Sequence, residues 1–291
     1  MRPSREDVLR VHAEHPLHEP RTALVLDSPH SGRVVPPDFD AAVSDDDLRD
    51  GEDCWIDELY RPAAALGIPL LAAQFPRTYI DANRHAADID PELLAEPWPH
   101  ELRASGKARI GKALLWRTLD DGRSLYARRL GVAEVEWRIA AYHAPYHLEL
   151  RALLDAAHLR HGVVMHLNCH SMNAISGKMG EGGAGVARAD IVLGDRDGSS
   201  CGAEVTAFVR ERLLVHGYDV RVNDPFKGVE LVRAYSDPAA GRHSLQLEIN
   251  KRLYMDEKTR ERTPHFDVLQ GRLMTLLAEL AASAATFGAP R

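Results

Sequence analysis

Cysteine is scarce in this 291-residue chain, and it sits in the wrong pattern for a scaffold of disulfides. Cys54, Cys169 and Cys201 are odd in number and far apart, which suits reduced thiols. No C-x-x-C pair occurs, so a zinc site built on cysteines is not expected. Long apolar runs are missing too: none reaches the roughly 18 residues of a membrane span, and the N-terminal MRPSREDVLRVHAEHP lacks a signal-peptide core. The expectation is a cytoplasmic protein with no membrane partner. A net charge of -7 leaves no basic stripe to displace counterions from phosphates, which argues against nucleic acid as a partner. It does not argue against a small anionic substrate, which responds to local arginines. No G-x-x-x-x-G-K-[ST] phosphate loop is present, and a serine hydrolase of the α/β type is not expected. Gly180, Gly182 and Gly185 fit G-x-G-x-x-G by letter, but they precede a strand pattern instead of following one, so a mobile flap is the better reading of 177–185.

What is present reads as an ordinary globular chain, 45% apolar and 27% charged. Residues 1–20 are polar and proline-punctuated, an expected irregular arm. Thr22 to Asp27 has strand length and composition, and Ser28-Pro29 ends it, leaving His30 on the following loop. Residues 35–46 read as a loop, Asp47 to Leu66 as a helix, and 68–74 as a second strand. The segment 88–129 shows no periodicity that organises it. Residues 133–160 are helical in composition, with Pro145 set to kink or break the run. The alternation resumes with strands at 163–169, 190–194, 218–222 and 243–250 and helices near 199–216 and 265–285. Strands alternating with helices, with no linker or composition break, predict one α/β domain over 1–291: a three-layer α/β/α arrangement around a mixed, mainly parallel sheet.

The chemistry concentrates at VVMHLNCHSMN, residues 163–173. Period-two alternation puts His166, Asn168 and His170 on one face of a strand and Met165, Leu167 and Cys169 on the other. In open α/β sheets ligands gather beyond the carboxyl ends of strands, so His170 is placed for chemistry, and His166, deeper along the strand, for a core role. Zinc hydrolases take three ligands from histidine and carboxylate and leave a position for water; His30, Asp53 and His170 supply such a set. Glu52 is the alternative to Asp53. A carboxylate that is not a ligand must move the proton, and Glu248 projects from a strand whose other side, Leu245, Leu247 and Ile249, is apolar. Asn83 and Arg84, with Arg77, form a fork suited to a substrate carboxylate. Each residue has a bland alternative as well: a hydrogen-bonded core histidine, a first-turn helix carboxylate for Asp53, a solvated edge-strand glutamate, a surface ion pair for the arginines.

SPHSG at 28–32, DCWIDELY at 53–60, RTYIDANR at 77–84, PYH at 145–147, CHSM at 169–172 and LQLEINKRLYMDE at 245–257, taken in this order, resemble the N-formylglutamate amidohydrolase family. The resemblance implies a fold like that of the zinc carboxypeptidases and aspartoacylases and a divalent metal, zinc by analogy, held by His30, Asp53 and His170. It further implies Glu248 as general base and acid, Asn83-Arg84 as the grip on a substrate carboxylate, and cleavage of an N-acyl acidic amino acid to formate and glutamate. A related zinc amidase acting on another N-acyl amino acid or peptide, or a catalytically silent protein that binds acidic ligands, are the alternatives. Asn168 is a departure: it stands where many members carry an aspartate.

Overall fold

The computed structural model of the protein describes residues 3–177 and 183–287. The expected flap at 177–185 therefore lies largely outside the described residues. The strands are β1 (Leu9–His12), β2 (Leu24–Ser28), β3 (Leu70–Ala73), β4 (Val164–Met172), β5 (Ile191–Gly194), β6 (Val220–Val222) and β7 (Arg242–Asn250). They form one seven-stranded sheet in the order β1-β3-β2-β4-β7-β5-β6. β2 pairs parallel with β4, β4 parallel with β7 and β5 parallel with β6, while β5 runs antiparallel to β7. This is the expected α/β fold with a mixed, mainly parallel sheet. Its α-helices are α1 (Arg5–Val8), α2 (Asp45–Leu48), α3 (Ile56–Tyr60), α4 (Val132–Arg138), α5 (Ala144–His161), α6 (Ala203–Val215), α7 (Glu230–Ala234) and α8 (His265–Phe287).

Two compact units divide the chain. One comprises Met1–Arg10, Pro29–Glu52 and Ala72–Glu149; the other comprises Val11–Ser28, Asp53–Leu71 and Leu150–Arg291. In the second unit the alternation read from sequence is realised. Met165, Leu167 and Cys169 of β4 and Leu245, Leu247 and Ile249 of β7 join Leu24 and Leu26 of β2 in one apolar cluster with α3, α6 and α8. Leu269, Leu273, Leu276, Leu277 and Leu280 bury α8 against it, each contributing about 1.5–3 kcal/mol of transfer free energy. Gly217, at φ 83°, closes α6 in the left-handed conformation that glycine adopts without strain. The opposite faces of β4 and β7 carry the polar residues, and these are buried as well.

Several expectations are corrected. The N-terminal arm is not wholly irregular, since Val8 and Leu9 are buried and Leu9–His12 is a sheet strand. The helix expected over 47–66 is four short pieces: α2, a 3-10 turn at Arg49–Gly51, α3, and a 3-10 turn at Arg61–Leu66. Pro62 removes a donor there, and Trp55 has φ 67°, a conformation that ends any helix passing through it. Trp55 is held in place by its indole N–H on Arg260 O at 2.8 Å and by Arg262 over its ring. The kink or break expected at Pro145 takes the form of a single π turn over Ile139–His143, with the Ala144 N–H bonded to Ile139 O, which leads into α5 without ending the helical run. The first unit organises 88–129 by pairing across loops: Ser105 bonds Asp88, Arg117 bonds Asp90, and Thr118 bonds Ile110 O.

Candidate active site

β4 runs to Met172, three residues beyond the expected end, because Ser171 and Met172 continue their pairing with Ile249 and Asn250 of β7. His170 is thus a strand residue, opposite Glu248 in register. One row back, Asp27, Asn168 and Gln246 lie side by side on β2, β4 and β7. This parity brings a line of polar side chains together on one face of the sheet.

Hydrogen bonds along that line orient the side chains. Asp27 Oδ1 takes the Asn168 amide at 2.7 Å and His166 Nε2 at 2.8 Å. A carboxylate only accepts, so Asn168 must turn its NH₂ to Asp27 and its Oδ1 to His170. His170 Nε2 therefore donates to Asn168 Oδ1, at 2.7 Å, which in the neutral ring leaves the lone pair on Nδ1. That nitrogen faces Asp53 Oδ2 at 3.0 Å, and Ser171 donates to Asp53 Oδ1 at 3.1 Å. Two electron-rich atoms so close need a proton or a cation between them. Two ligands of a tetrahedral zinc at about 2.0–2.1 Å would stand about 3.3 Å apart, close to the distance found. Asp53 precedes α3 and lies outside it, so its bland reading as a first-turn helix carboxylate does not hold.

The first unit shows the same device around His30. Its Nε2 meets Asp81 Oδ1 at 2.7 Å, which again leaves Nδ1 as the lone-pair nitrogen. Asp81 also takes Arg77 Nη2 at 2.8 Å and the Asn83 N–H at 2.8 Å. Burial alone would raise the Asp81 carboxyl, but the charges of Arg77 and Arg84 and the hydrogen bond from His30 outweigh it and hold the group well below the usual carboxylate range. Asn83 and Arg84 are buried, and the Arg84 Nε and Nη1 donate to Lys112 O and Asn83 O, so they are not the surface ion pair of the bland reading. Glu52 is gripped by Arg33 at 2.5 Å and Arg49 at 2.6 Å, which commits it away from ligation and favours Asp53.

Glu248 is buried in β7, a strand flanked by β4 and β5, with Gln246 Nε2 donating to its Oε1 at 3.0 Å. The edge-strand reading fails for it. Asp27, Asn168's amide polarity and Asp81 carry roles that the sequence left unassigned; the available signal was a carboxylate at the end of an apolar strand and another between Arg77 and Asn83. Gly198-Ser199-Ser200-Cys201-Gly202 spells G-x-S-x-G, the elbow motif of the α/β-type serine hydrolases that the sequence was expected to exclude. Ser200 is fully buried and donates to Ser244 O, so it is no exposed nucleophile. Ser244, His166 and Asp27 are bonded like a triad at 2.7 and 2.8 Å, yet Ser244 is fully buried, and the row serves to anchor Asp27 beneath Asn168.

Residues 22–255 match the model of the N-formylglutamate amidohydrolase family. The chain belongs to this family. An N-formylglutamate deformylase of Pseudomonas putida is 30% identical over 248 residues, covering 82% of this chain and 84% of that protein. A second, from Pseudomonas aeruginosa, is 28% identical over 242 residues with the same coverage. The crystal structure of N-formylglutamate amidohydrolase from Ralstonia eutropha JMP134 shares 41% identity and superposes with a TM-score of 0.88, over 96% of this chain and 98% of that one. Within this N-formylglutamate amidohydrolase family member, no helix among the described residues is long and apolar enough to cross a membrane.

Proposed function

We propose that the protein is a metal-dependent amidohydrolase that cleaves N-formyl-L-glutamate with water to formate and L-glutamate, acting in the cytoplasm in histidine breakdown. The observation that carries this is the 3.0 Å contact of His170 Nδ1 with Asp53 Oδ2, with His170 Nε2 held by Asn168 Oδ1 at 2.7 Å, in a chain of this family. His30, Asp53 and His170 are the proposed ligands of a divalent cation, zinc by its preference for such nitrogen and oxygen donors; all three are buried. Chain connectivity supports the set. His30 follows Ser28 at the end of β2 by two residues, a reach of about 7 Å at most, and β2 pairs with β4. We treat the two interleaved units, between which the chain passes five times, as one functional domain.

A cation held there would polarise the formyl carbonyl and bring the pKa of a water toward about 7. Glu248 takes a proton from the attacking water and gives it to the departing nitrogen as the C–N bond breaks, and the remaining acid proton passes from the new formic acid to the amine, so that formate and the ammonium form of glutamate result. Arg77, Asn83 and Arg84 hold the substrate's carboxylates and set the formyl group against the reacting water, the source of a large effective concentration. Glu248→Gln is expected to keep its metal by elemental analysis and lose about 10²–10⁴ in kcat for N-formyl-L-glutamate. A metal-loaded wild type that leaves N-formyl-L-glutamate intact while cleaving N-acetyl or peptide substrates would overturn the substrate; a fully active Glu248→Gln would remove Glu248 from the mechanism.

A further inference from the structure

Asn83 and Arg84 lie in a segment without helix or strand, so its carbonyl oxygens must find partners outside a ladder. Side chains meet three in succession. His147 Nε2 bonds Ala82 O at 2.8 Å, Arg84 Nη1 bonds Asn83 O at 3.0 Å, and His143 Nε2 bonds Arg84 O at 2.9 Å. A carbonyl only accepts, so both imidazoles present Nε2–H to the segment. Their rings stack with centroids 4.1 Å apart and planes at 25°, one restraining the other. They stand four residues apart along the helix, and the π turn at Ile139–His143 ends on the first of them.

A carbonyl oxygen carries partial negative charge, and beside an anion-binding pair it opposes the anion. Bonding Ala82 O and Arg84 O to imidazole N–H groups points those dipoles at the histidines and pins the backbone on both sides of Asn83. We infer that His143 and His147 are positioning residues for anion recognition: they hold the backbone from which Asn83 and Arg84 reach a carboxylate, and so set preference for an acidic substrate over a neutral one. The inference rests on the reading of Asn83 and Arg84 as the carboxylate grip. His147, half-buried at the protein surface, is the better site for substitution, and His143→Gln keeps an N–H donor where full truncation would leave a gap.

The test uses metal-loaded protein, steady-state kinetics on N-formyl-L-glutamate, and calorimetric binding of glutarate, a dicarboxylate with no bond to cleave. His147→Ala is expected to raise both KM and the glutarate Kd about tenfold, with kcat changed less than about twofold and the melting temperature little moved. His147→Gln, whose amide N–H can reach a carbonyl, is expected to recover most of the loss, and His143→Gln to stay near wild type. Arg84→Lys is the control for the grip itself. If it weakens glutarate while His147→Ala leaves KM and Kd unchanged, or if His147→Ala and His147→Gln behave alike, the inference falls and the proposed function stands. A wild type that neither binds glutarate nor turns over N-formyl-L-glutamate overturns the reading of the site and the inference with it.

Discussion

Two buried histidines, one in each unit, are prepared in the same way by different partners. His30 gives its Nε2–H directly to the Asp81 carboxylate, while His170 gives its Nε2–H to the neutral Asn168 amide, with the Asp27 carboxylate one residue further on. In both, Nδ1 keeps the lone pair. The difference lies in how the charge is delivered. Asp81 brings a full carboxylate charge to the bond with His30 and is itself tied down by Arg77. Asn168 adds no charge to His170 but cannot turn over, because Asp27 accepts only its NH₂ side. One arrangement brings a charge to the imidazole, and the other only orients it.

The largest effect tests whether the two histidines are equivalent as ligands. His170→Ala and His30→Ala are each expected to abolish stoichiometric metal in elemental analysis, and a variant that keeps full metal would take that histidine out of the set. Next comes the partner of His30. Asp81→Asn is expected to weaken metal affinity by roughly 100-fold in competition with a chelator, the upper end for groups that orient a ligand, because both the charge and the Arg77 anchor are lost. Asn168→Leu, which removes only an orienting acceptor, is expected to cost roughly tenfold in the same assay, and an effect larger than that of Asp81→Asn would reverse the comparison. The smallest effect lies furthest back. Ser244→Ala leaves His166 Nδ1 without its 2.7 Å bond and is expected to lower unfolding stability by about 1–3 kcal/mol in denaturant titration while metal affinity stays within about twofold.

The faces of β4 and β7 were legible because a strand's side chains alternate whatever it pairs with, and an apolar neighbour at every second position leaves one assignment. The shared row of His170 and Glu248 on the polar faces follows from this alternation. The run at 47–66 was not, since its amphipathic pattern outweighed Pro62 and nothing local announces that Trp55 takes φ 67°. That conformation is maintained by Arg260 and Arg262, some 200 positions away. Glu52 and Asp53 are adjacent and chemically alike, and their sequence neighbourhood does not separate them. Arg33 and Arg49 do, by taking Glu52.

The sequence by itself determined the α/β class, the polar and apolar sides of the two long central strands, and which residue types could meet at their ends. All of these follow from periodicity and covalent chemistry within a few residues. Tertiary structure alone decided the roles of Asp27, Asp81 and Asn168 and the nitrogen that each histidine offers. A tautomer depends on what accepts the other ring proton, and here those acceptors are reached through strand register and through loops, at separations such as 51 residues for His30 and Asp81 and 141 for Asn168 and Asp27.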